Sequence, residues 1–446
     1  IIMTNKKPYA DGAAGAIGKI HAFEKFGSIL GLERMNELMA LLGNPQDKLK
    51  VLHVAGTNGK GSVCRYLYSV LQENGYRTGL YTSPFLEVFN ERIELDGAYI
   101  SDEDLTEYTD RVLKQVQRMV DAGKQSPTEF EVITAIALLY FYEKGADYVV
   151  LEVGLGGRGD STNVCKAPLI SVITSISYDH TDRLGDTLAK IAWEKSGIIK
   201  DGCPVVTSAK APEALEVIER TAAEHHALFF ETRRIPYKIK EQGLDGSCFD
   251  VDFQGVLFED LRISMVGAHQ IENAIAALAA INLLEERGEV RIQKDKLYSG
   301  LQKAKQIGRF EVLTAPDAKP VVIIDGAHNP DGAKVLRDAM ETFCPSRRIL
   351  MVTGMLADKD TTGILRSFRD ITTDFIATEP VNPRSMTKET LKDALQTQGA
   401  RCLALLEPKA AVEEALRRKE DYDVILFAGS LYLIGQIRGM LREAVR

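Results

Sequence analysis

The fold is decided by the stretch Leu52-His53-Val54-Ala55-Gly56-Thr57-Asn58-Gly59-Lys60-Gly61-Ser62-Val63. Its apolar start predicts a strand, its glycines predict a tight turn, and the residues after the turn predict a helix. Such a turn aims backbone N–H groups inward, and the helix N-terminus and Lys60 add positive charge, so the stretch favours phosphate binding. Its spacing departs from G-x-x-x-x-G-K-[ST], because Gly61 separates Lys60 from Ser62. The alternative is a structural turn with an incidental lysine.

Short β-branched segments alternate with amphipathic ones on both sides of this stretch, which is typical of βαβ units around a parallel sheet. Ser126 is the predicted N-cap of a helix that begins at Pro127 and ends at Tyr142. Residues 228–264 contain Gly-punctuated, strand-like segments and predict an antiparallel region attached to the first domain. The other predicted elements of the first half are strands at residues 51–54, 78–81, 148–153, 169–176 and 204–207, and helices at residues 62–72, 188–195 and 272–286.

A polar segment, residues 302–308, separates the two halves of the chain. Beyond it, predicted strands at residues 321–325, 349–353, 375–378 and 424–428 alternate with helices at residues 331–342 and 409–419. We therefore expect an α/β protein with two domains. Residues 3–304 form a P-loop-type parallel sheet with a small antiparallel region, and residues 305–446 form a smaller Rossmann-like α/β domain.

Length and composition exclude several classes of protein. The chain has 446 residues, of which 45% are hydrophobic and 26% charged, so it is neither disordered nor fibrous. The net charge of -8 disfavours nonspecific attraction to nucleic acid or anionic membrane, and any anionic ligand needs a local site. No apolar stretch reaches the roughly 20 residues that cross a bilayer, and residues 1–7 lack the apolar core of a secretory signal. The six cysteines are scattered, so we expect a cytoplasmic protein.

Two polar residues follow predicted strands at the edge of the sheet where the phosphate loop lies. Glu152 ends the apolar segment 148–151, and His180 comes after the next predicted strand. Ligands of open α/β sheets bind at this edge, and a carboxylate with hydroxyl and phosphate oxygens suits Mg²⁺. The alternatives are a solvated acid for Glu152 and a structural role for His180.

Four further residues are candidates, and three of them also have a plain structural interpretation. Lys195 lies near the end of a predicted helix, where a cation normally complements the helix dipole at the surface. Asp325 and His328 stand three residues apart after a predicted strand, and Asp325 is either a functional acid or a simple cap. Arg309, just past the linker, is either a ligand contact or a plain surface arginine.

Together these segments resemble the folylpolyglutamate synthase and dihydrofolate synthase family, within the Mur ligase superfamily. The resemblance covers nearly the whole chain. The motifs that carry it are Gly56-Thr57-Asn58-Gly59-Lys60-Gly61-Ser62, Thr82-Ser83-Pro84, Asn90-Glu91-Arg92-Ile93, Leu151-Glu152-Val153-Gly154-Leu155-Gly156-Gly157-Arg158, Asp179-His180-Thr181, Glu194-Lys195-Ser196-Gly197, Gly308-Arg309-Phe310-Glu311 and Asp325-Gly326-Ala327-His328-Asn329-Pro330.

The resemblance implies an ATP-dependent ligase that joins L-glutamate to a folate through an acyl phosphate. It implies that Lys60 and the loop residues Gly56, Thr57, Asn58, Gly59, Gly61 and Ser62 hold the ATP phosphates. It implies that Ser83, Glu152 and His180 are magnesium ligands. Lys195 matches a lysine that relatives carry as a carbamate, which helps to organise a second magnesium. Asn273, Arg309 and Asp325 match positions close to the nucleotide, and Asp325 and His328 match residues needed for activity.

The residues leave some questions open at this stage. Many relatives have His where this chain has Phe85, so the contacts to the pterin differ, and the substrate is a reduced folate alone or dihydropteroate as well. One rival is a peptidoglycan-type Mur ligase, although only about fifty residues precede Gly56, too few for its precursor domain. The other rival is a nucleotide-binding switch without ligase chemistry. We expect a monomer.

Overall fold

The computed structural model describes residues 11–27 and 29–445. The prediction about a secretory signal and the predicted start of the N-terminal domain both fall at the beginning of the chain. They lie outside the described residues. The described part forms two α/β domains, and the N-terminal one carries an added three-stranded sheet. The expected fold class is confirmed. No helix of the described residues is both long enough and apolar enough to cross a membrane.

The first domain is built on an eight-stranded sheet with the order β4-β3-β2-β5-β1-β6-β7-β8. The central strand β1 pairs in parallel with β5 and β6, whereas β3 and β4 form an antiparallel edge. All residues of β1 and β5 are buried, which is why these strands are continuous apolar segments without alternation. The strands are β1 Val51–Ala55, β2 Thr78–Tyr81, β3 Ile93–Leu95, β4 Ala98–Tyr99, β5 Tyr148–Glu152, β6 Ile170–Ile173, β7 Val205–Thr207 and β8 Phe229–Glu231.

Helices cover both faces of this sheet and form three buried hydrophobic clusters with it, of which the third lies under α7 and α8. On one face, α3 and α9 pack on side chains such as Leu52 and Val54. On the other face, α4 and α5 pack on Val51 and Leu151. The helices are α1 Asp11–His21, α2 Glu33–Leu41, α3 Lys60–Glu73, α4 Asp102–Asp121, α5 Glu129–Glu143, α6 Thr181–Leu184, α7 Leu188–Ser196, α8 Pro212–Glu224, α9 Ala268–Glu286 and α10 Lys294–Lys303.

The antiparallel region expected at residues 228–264 is confirmed with one difference. Strands β9 Tyr237–Gly243, β10 Gly246–Phe253 and β11 Val256–Ile263 form a three-stranded antiparallel sheet. The first part of the predicted region is instead β8, which extends the main sheet in parallel beside β7. This pairing follows from the helix α8 between them, because a helical crossover returns the chain in the same direction.

The second domain has a six-stranded sheet with the order β12-β13-β17-β14-β15-β16, parallel except for β12. The four predicted strands are present, whereas β12 and β16 were not predicted. β16 is an edge strand whose side chains are partly buried or exposed, so its burial differs from that of the fully buried central strands. The strands are β12 Glu311–Val312, β13 Val321–Asp325, β14 Ile349–Thr353, β15 Asp374–Thr378, β16 Arg401–Leu406 and β17 Val424–Ala428. The helices are α11 Pro330–Phe343, α12 Thr361–Ile371, α13 Lys388–Thr397, α14 Pro408–Arg417 and α15 Leu431–Ala444.

Two sequence predictions about element ends are wrong. The N-cap of α5 is Thr128 and not Ser126, because Thr128 and Glu131 form a reciprocal capping box. The Thr128 N–H donates to Glu131 Oε2 at 2.7 Å, and the same carboxylate accepts from Arg34. The strand predicted at residues 169–176 ends at Ile173. It ends there because Thr174 and Ser175 bind the phosphate loop instead of continuing the sheet.

Replacing the cap tests the corrected start of α5. We expect Thr128→Ala to lower the stability of the first domain by about 1 kcal/mol, since the Glu131 amide loses its acceptor. Ser126→Ala is the matched control and should leave the stability unchanged. Thermal unfolding of both variants measures the difference, and equal midpoints would contradict Thr128 as the cap.

Candidate functional site

The phosphate loop is held in place by the end of β6. The Thr57 N–H donates to Ser175 O at 2.7 Å, and Thr174 Oγ1 donates to Asn58 O at 2.7 Å. Gly56 has a φ of 147°, and a Cβ there would lie 1.8 Å from Thr174 Oγ1, so only glycine fits. After Gly59, the first residues of α3 have backbone N–H groups without an intrahelical acceptor. The loop thus presents amide donors at a helix N-terminus, which is the arrangement that binds phosphate.

Two lysine ammonium groups meet on one backbone carbonyl of this loop. Lys60 Nζ donates to Gly56 O and Thr57 O, both at 3.1 Å, and Lys195 Nζ donates to Gly56 O at 2.9 Å. Lys195 is 5% exposed, so the surface interpretation is wrong. Burial and the nearby Lys60 charge lower the pKa of Lys195 to about 7. Among the residues that the structure describes, neither ammonium has a carboxylate in ion-pair contact.

Glu152 ends β5 on the same edge of the sheet. Its Oε2 accepts from the Ser83 backbone N–H at 3.1 Å. Burial raises the pKa of the Glu152 carboxyl, while Lys60 and the Ser83 amide lower it. The Glu152 carboxylate and the Ser83 hydroxyl are hard oxygen donors that fit Mg²⁺, with the other positions left to water and phosphate. His180 adds a nitrogen donor beside them, and its side chain is about half exposed.

In the second domain, Asp325 organises the turn after β13. Its two carboxylate oxygens accept from the backbone N–H groups of Phe310 and Ala327, both at 2.7 Å. Burial raises the pKa of Asp325, and Arg309 opposes that shift. Asp325 therefore fixes two backbone segments of the second-domain wall, including the one that carries Arg309.

His328 is held as a neutral imidazole in the same turn. Its Nδ1 is 2.8 Å from Gly326 O, and since a carbonyl only accepts, Nδ1 carries the proton and Nε2 is an acceptor. Burial and the Arg309 charge lower the pKa of His328 to about 4. The side chain is thus suited to accepting a hydrogen bond and is a weak base at neutral pH.

One cavity of about 640 Å³ lies between the two domains and brings all of these residues together. The glycine turn and the pair Asp325 and His328 line the same cavity. Arg309 lines it too, so its interpretation as a plain surface arginine is wrong. Asn273 is buried, and its side chain lies against Gly59. The predicted site residues on the cavity wall are Gly56, Thr57, Asn58, Gly59, Lys60, Gly61, Ser62, Ser83, Glu152, His180, Lys195, Asn273, Arg309, Asp325 and His328.

Side chains also bond directly across the cleft. Asn58 Nδ2 of the phosphate loop donates to Asp331 Oδ2 of α11 at 2.7 Å. Asp179 accepts from Asn329 Nδ2 and from Lys359 Nζ, both at 3.1 Å. The second domain is therefore tied to the loop and to the end of β6.

Comparison with known proteins agrees with this architecture. The Mur ligase middle domain matches residues 54–281, and the glutamate ligase domain of Mur ligases matches residues 308–431. The dihydrofolate synthase/folylpolyglutamate synthase of Bacillus subtilis is 39% identical over 95% of this chain and 97% of its own length. The chain belongs to the folylpolyglutamate synthase/dihydrofolate synthase family.

Solved structures of this family share the whole fold. The folylpolyglutamate synthase of Thermotoga maritima is 35% identical, with a TM-score of 0.85 over 97% of this chain and 98% of that chain. The Mycobacterium tuberculosis folylpolyglutamate synthase complexed with ADP is 29% identical, with a TM-score of 0.88 over 96% of this chain and 99% of that chain. The resemblance drawn from the sequence motifs is confirmed.

Several polar residues that line the cavity of this folylpolyglutamate synthase family member were not predicted from the sequence. Lys359, Arg384 and Tyr432 also line the cavity. The Arg384 guanidinium donates to Asp358 Oδ2 at 2.9 Å and to the Tyr432 hydroxyl at 3.3 Å. Lys359 stands six residues after the end of β14, so the rule that ligands bind at strand ends could have found it. Arg384 lies in a long connection, and only the structure places it.

Asp325→Asn tests the organising role of the carboxylate. An asparagine offers one acceptor oxygen, so one of the two amides loses its partner, which costs about 1–3 kcal/mol. We expect the thermal transition of the second domain to move down. Asp317→Asn, at an exposed position of that domain, is the control. Differential scanning calorimetry measures both, and an unchanged transition in Asp325→Asn would exclude the role.

Proposed function

We propose that this chain is an ATP-dependent ligase that joins the amine of L-glutamate to a carboxyl group of a folate. The observation that carries the proposal is the cleft itself. On one wall, two lysine ammonium groups donate to a glycine loop beside Glu152, and no carboxylate within residues 11–27 and 29–445 pairs with either of them. On the other wall are Arg309, His328 and Asp325. These walls offer positive charge to a nucleotide phosphate and to the carboxylates of the two substrates.

The residues present explain how a poor acylating agent becomes reactive. A carboxylate has no good leaving group, and transfer of the γ-phosphoryl group of ATP makes it an acyl phosphate. Lys60 and the amides of the first turn of α3 hold the phosphates and offset the charge that develops on them. Glu152 and Ser83, together with His180, would hold Mg²⁺, which would supply positive charge to offset that of the phosphates. Asn273 and Arg309 contact the nucleotide from either side of the cleft.

Lys195 is the residue that we assign to a carbamate. A neutral amine adds to carbon dioxide to give a carbamate and one proton, and a pKa of about 7 leaves much of the Lys195 amine neutral at physiological pH. The product is an anion beside Lys60, so a repulsion between two cations becomes an attraction. A buried oxygen ligand at this position supports a second magnesium site.

The second domain supplies the groups that suit glutamate. Lys359 and Arg384 provide cations for its carboxylates. His328 Nε2 faces the same cavity as an acceptor, and with a pKa of about 4 it orients the incoming ammonium group better than it removes a proton from it. After the amine has lost its proton, it attacks the acyl phosphate and releases phosphate.

Several finer points belong to the same proposal. The Bacillus subtilis relative is named for both activities, and we propose that dihydropteroate is a second acceptor here, with Phe85 altering the pterin contacts. We place the division between the domains at residues 304–305, between the end of α10 and the start of β12. A monomer is supported because one chain lines the whole cavity, and a reducing cytoplasm is supported by six free cysteines.

Phosphate release tests the ligase reaction. We expect release from ATP only when a folate and L-glutamate are both present, because the acyl phosphate forms on one and is consumed by the other. Mass analysis of the product with tetrahydrofolate and with dihydropteroate as acceptors identifies the substrates. Substrate-independent hydrolysis would favour the nucleotide-binding switch, and turnover only with a peptidoglycan precursor would favour the other Mur ligases.

The carbamate predicts a dependence on carbon dioxide and on pH. Removing dissolved carbon dioxide should lower the activity, and restoring it should recover the activity faster at pH 8 than at pH 6 at a fixed carbon dioxide concentration. The sign follows because Lys195 loses its proton as the pH rises through about 7. Lys195→Ala should lose about 10²-fold or more in kcat.

Lys190→Ala is the control for the Lys195 variant, because Lys190 is an exposed lysine of the same helix, paired with Asp186. It should keep both the activity and its dependence on carbon dioxide. Full activity of Lys195→Ala, or a wild-type rate indifferent to carbon dioxide, would remove the carbamate from the proposal.

A further inference from the structure

The loop of residues 83–91, which we call the Ser83 loop, belongs to the first domain but docks on the second. Its residues Ser83, Pro84, Leu86 and Glu91 line the cavity. Within the loop, the Glu91 carboxylate accepts from the backbone N–H groups of Leu86, Glu87 and Val88 at 2.7 to 2.9 Å. These bonds shape the loop internally, and its position relative to the second domain needs a separate contact.

Helix α15 provides a surface that admits this loop. Gly435 lies so close to the loop that a Cβ would be 1.9 Å from Leu86 O, and a Cβ on Gly439 would be 3.4 Å from Glu87 Oε1. Glycine inside a helix costs roughly 1 kcal/mol relative to alanine. The loop explains the glycine at position 435, because a side chain there would hold the Leu86 backbone away, whereas the distance at Gly439 is an ordinary contact.

Arg438 lies on the same helix and joins three parts of the molecule. Its side chain is 8% exposed. One nitrogen, Nη1, donates to Glu87 Oε2 of the loop at 2.5 Å, and Nη2 donates to Glu311 Oε1 at 2.7 Å. Glu311 in turn accepts from the Gly308 N–H at 2.8 Å, next to Arg309. The planar guanidinium can serve two carboxylates at once, which a lysine could not do with the same geometry.

We propose that Arg438 is a positioning residue that locks the Ser83 loop and the segment carrying Arg309 to the second domain, and so completes the folate side of the site. Among the described residues, Arg438 is not one of those that line the cavity. This inference rests on the proposed function for its kinetic test. Loss of the contact between Arg438 and Glu87 should weaken binding of the folate. Loss of the contact between Arg438 and Glu311 should also disturb the segment that carries Arg309.

Kinetics of Glu87→Gln, Arg438→Met and the double variant test the proposal, with Arg442→Met on the exposed side of α15 as the control. We expect Glu87→Gln to raise the KM for the folate by about tenfold and to leave the affinity for a non-hydrolysable ATP analogue unchanged. Arg438→Met should raise the folate KM at least as much and lower kcat as well. Adding Glu87→Gln to Arg438→Met should change neither the folate KM nor kcat any further. Arg442→Met should have the folate KM and kcat of the wild type.

A purely structural role gives a different result. Variants that melt at lower temperature with an unchanged folate KM and kcat, or effects of Glu87→Gln and Arg438→Met that add, would overturn the proposal. Gly435→Ala provides a further variant that keeps every charge, and we expect it also to raise the folate KM.

Hydrogen exchange separates this inference from the proposed function. The amides of Leu86, Glu87 and Val88 should exchange faster in Arg438→Met than in the wild type, whatever the protein catalyses. A wild type without folate-dependent turnover but with this difference in exchange would refute the ligase and keep the docking. Equal exchange in an active wild type and in Arg438→Met would refute the docking alone.

Discussion

The carbonyl oxygen of Gly56 is the point on which the rest of the site depends. Two ammonium groups, from Lys60 and Lys195, donate to it. Bringing two cations to one neutral oxygen in a buried place is unfavourable unless an anion joins them or one cation loses its proton. The lowered pKa of Lys195 is the second of these responses, and a phosphate group provides the first. The free protein is therefore prepared for an anionic ligand despite a net charge of -8.

The parallel sheet explains why these residues meet. β1, β5 and β6 are adjacent and parallel, so the phosphate loop, Glu152 and the Thr174-Ser175 turn emerge at one edge. The second domain is arranged in the same way, because Asp325 lies at the end of the parallel strand β13. Two such edges facing each other produce a cleft whose walls come from segments far apart in the sequence.

Much of this arrangement could be predicted from the sequence because it depends on local patterns. The central strands are fully buried, so β1, β13, β14 and β17 appear as apolar segments with clear ends. Partly buried β16 and the two-residue β12 have no such pattern and were missed. The α5 cap was misplaced because Ser126 and Thr128 each precede a glutamate by three residues, and the structure forms the capping box at Thr128 and Glu131.

The candidate site shows the same division. The residues predicted from the motifs all line one cavity. The burial of Lys195 could not be predicted, because it depends on tertiary packing and a position near a helix end does not indicate it. Whether these residues act as the family resemblance implies stays a prediction. Lys359 follows β14 and could have been found from its place after a strand, whereas Arg384 and the junction at Arg438 join distant segments that no local pattern indicates. The need for glycine at position 435 likewise becomes clear only from the loop backbone that faces it.

The junction at Arg438 also has a consequence for biosynthesis. Glu87 and Arg438 are 351 residues apart in the chain, and α15 is translated after every strand of the three sheets. A ribosome-bound chain can form the glycine loop early, while the surface that receives residues 83–91 does not yet exist. Contacts of such long range form late in folding. Nascent chains consequently acquire a nucleotide cradle before they acquire a finished acceptor site.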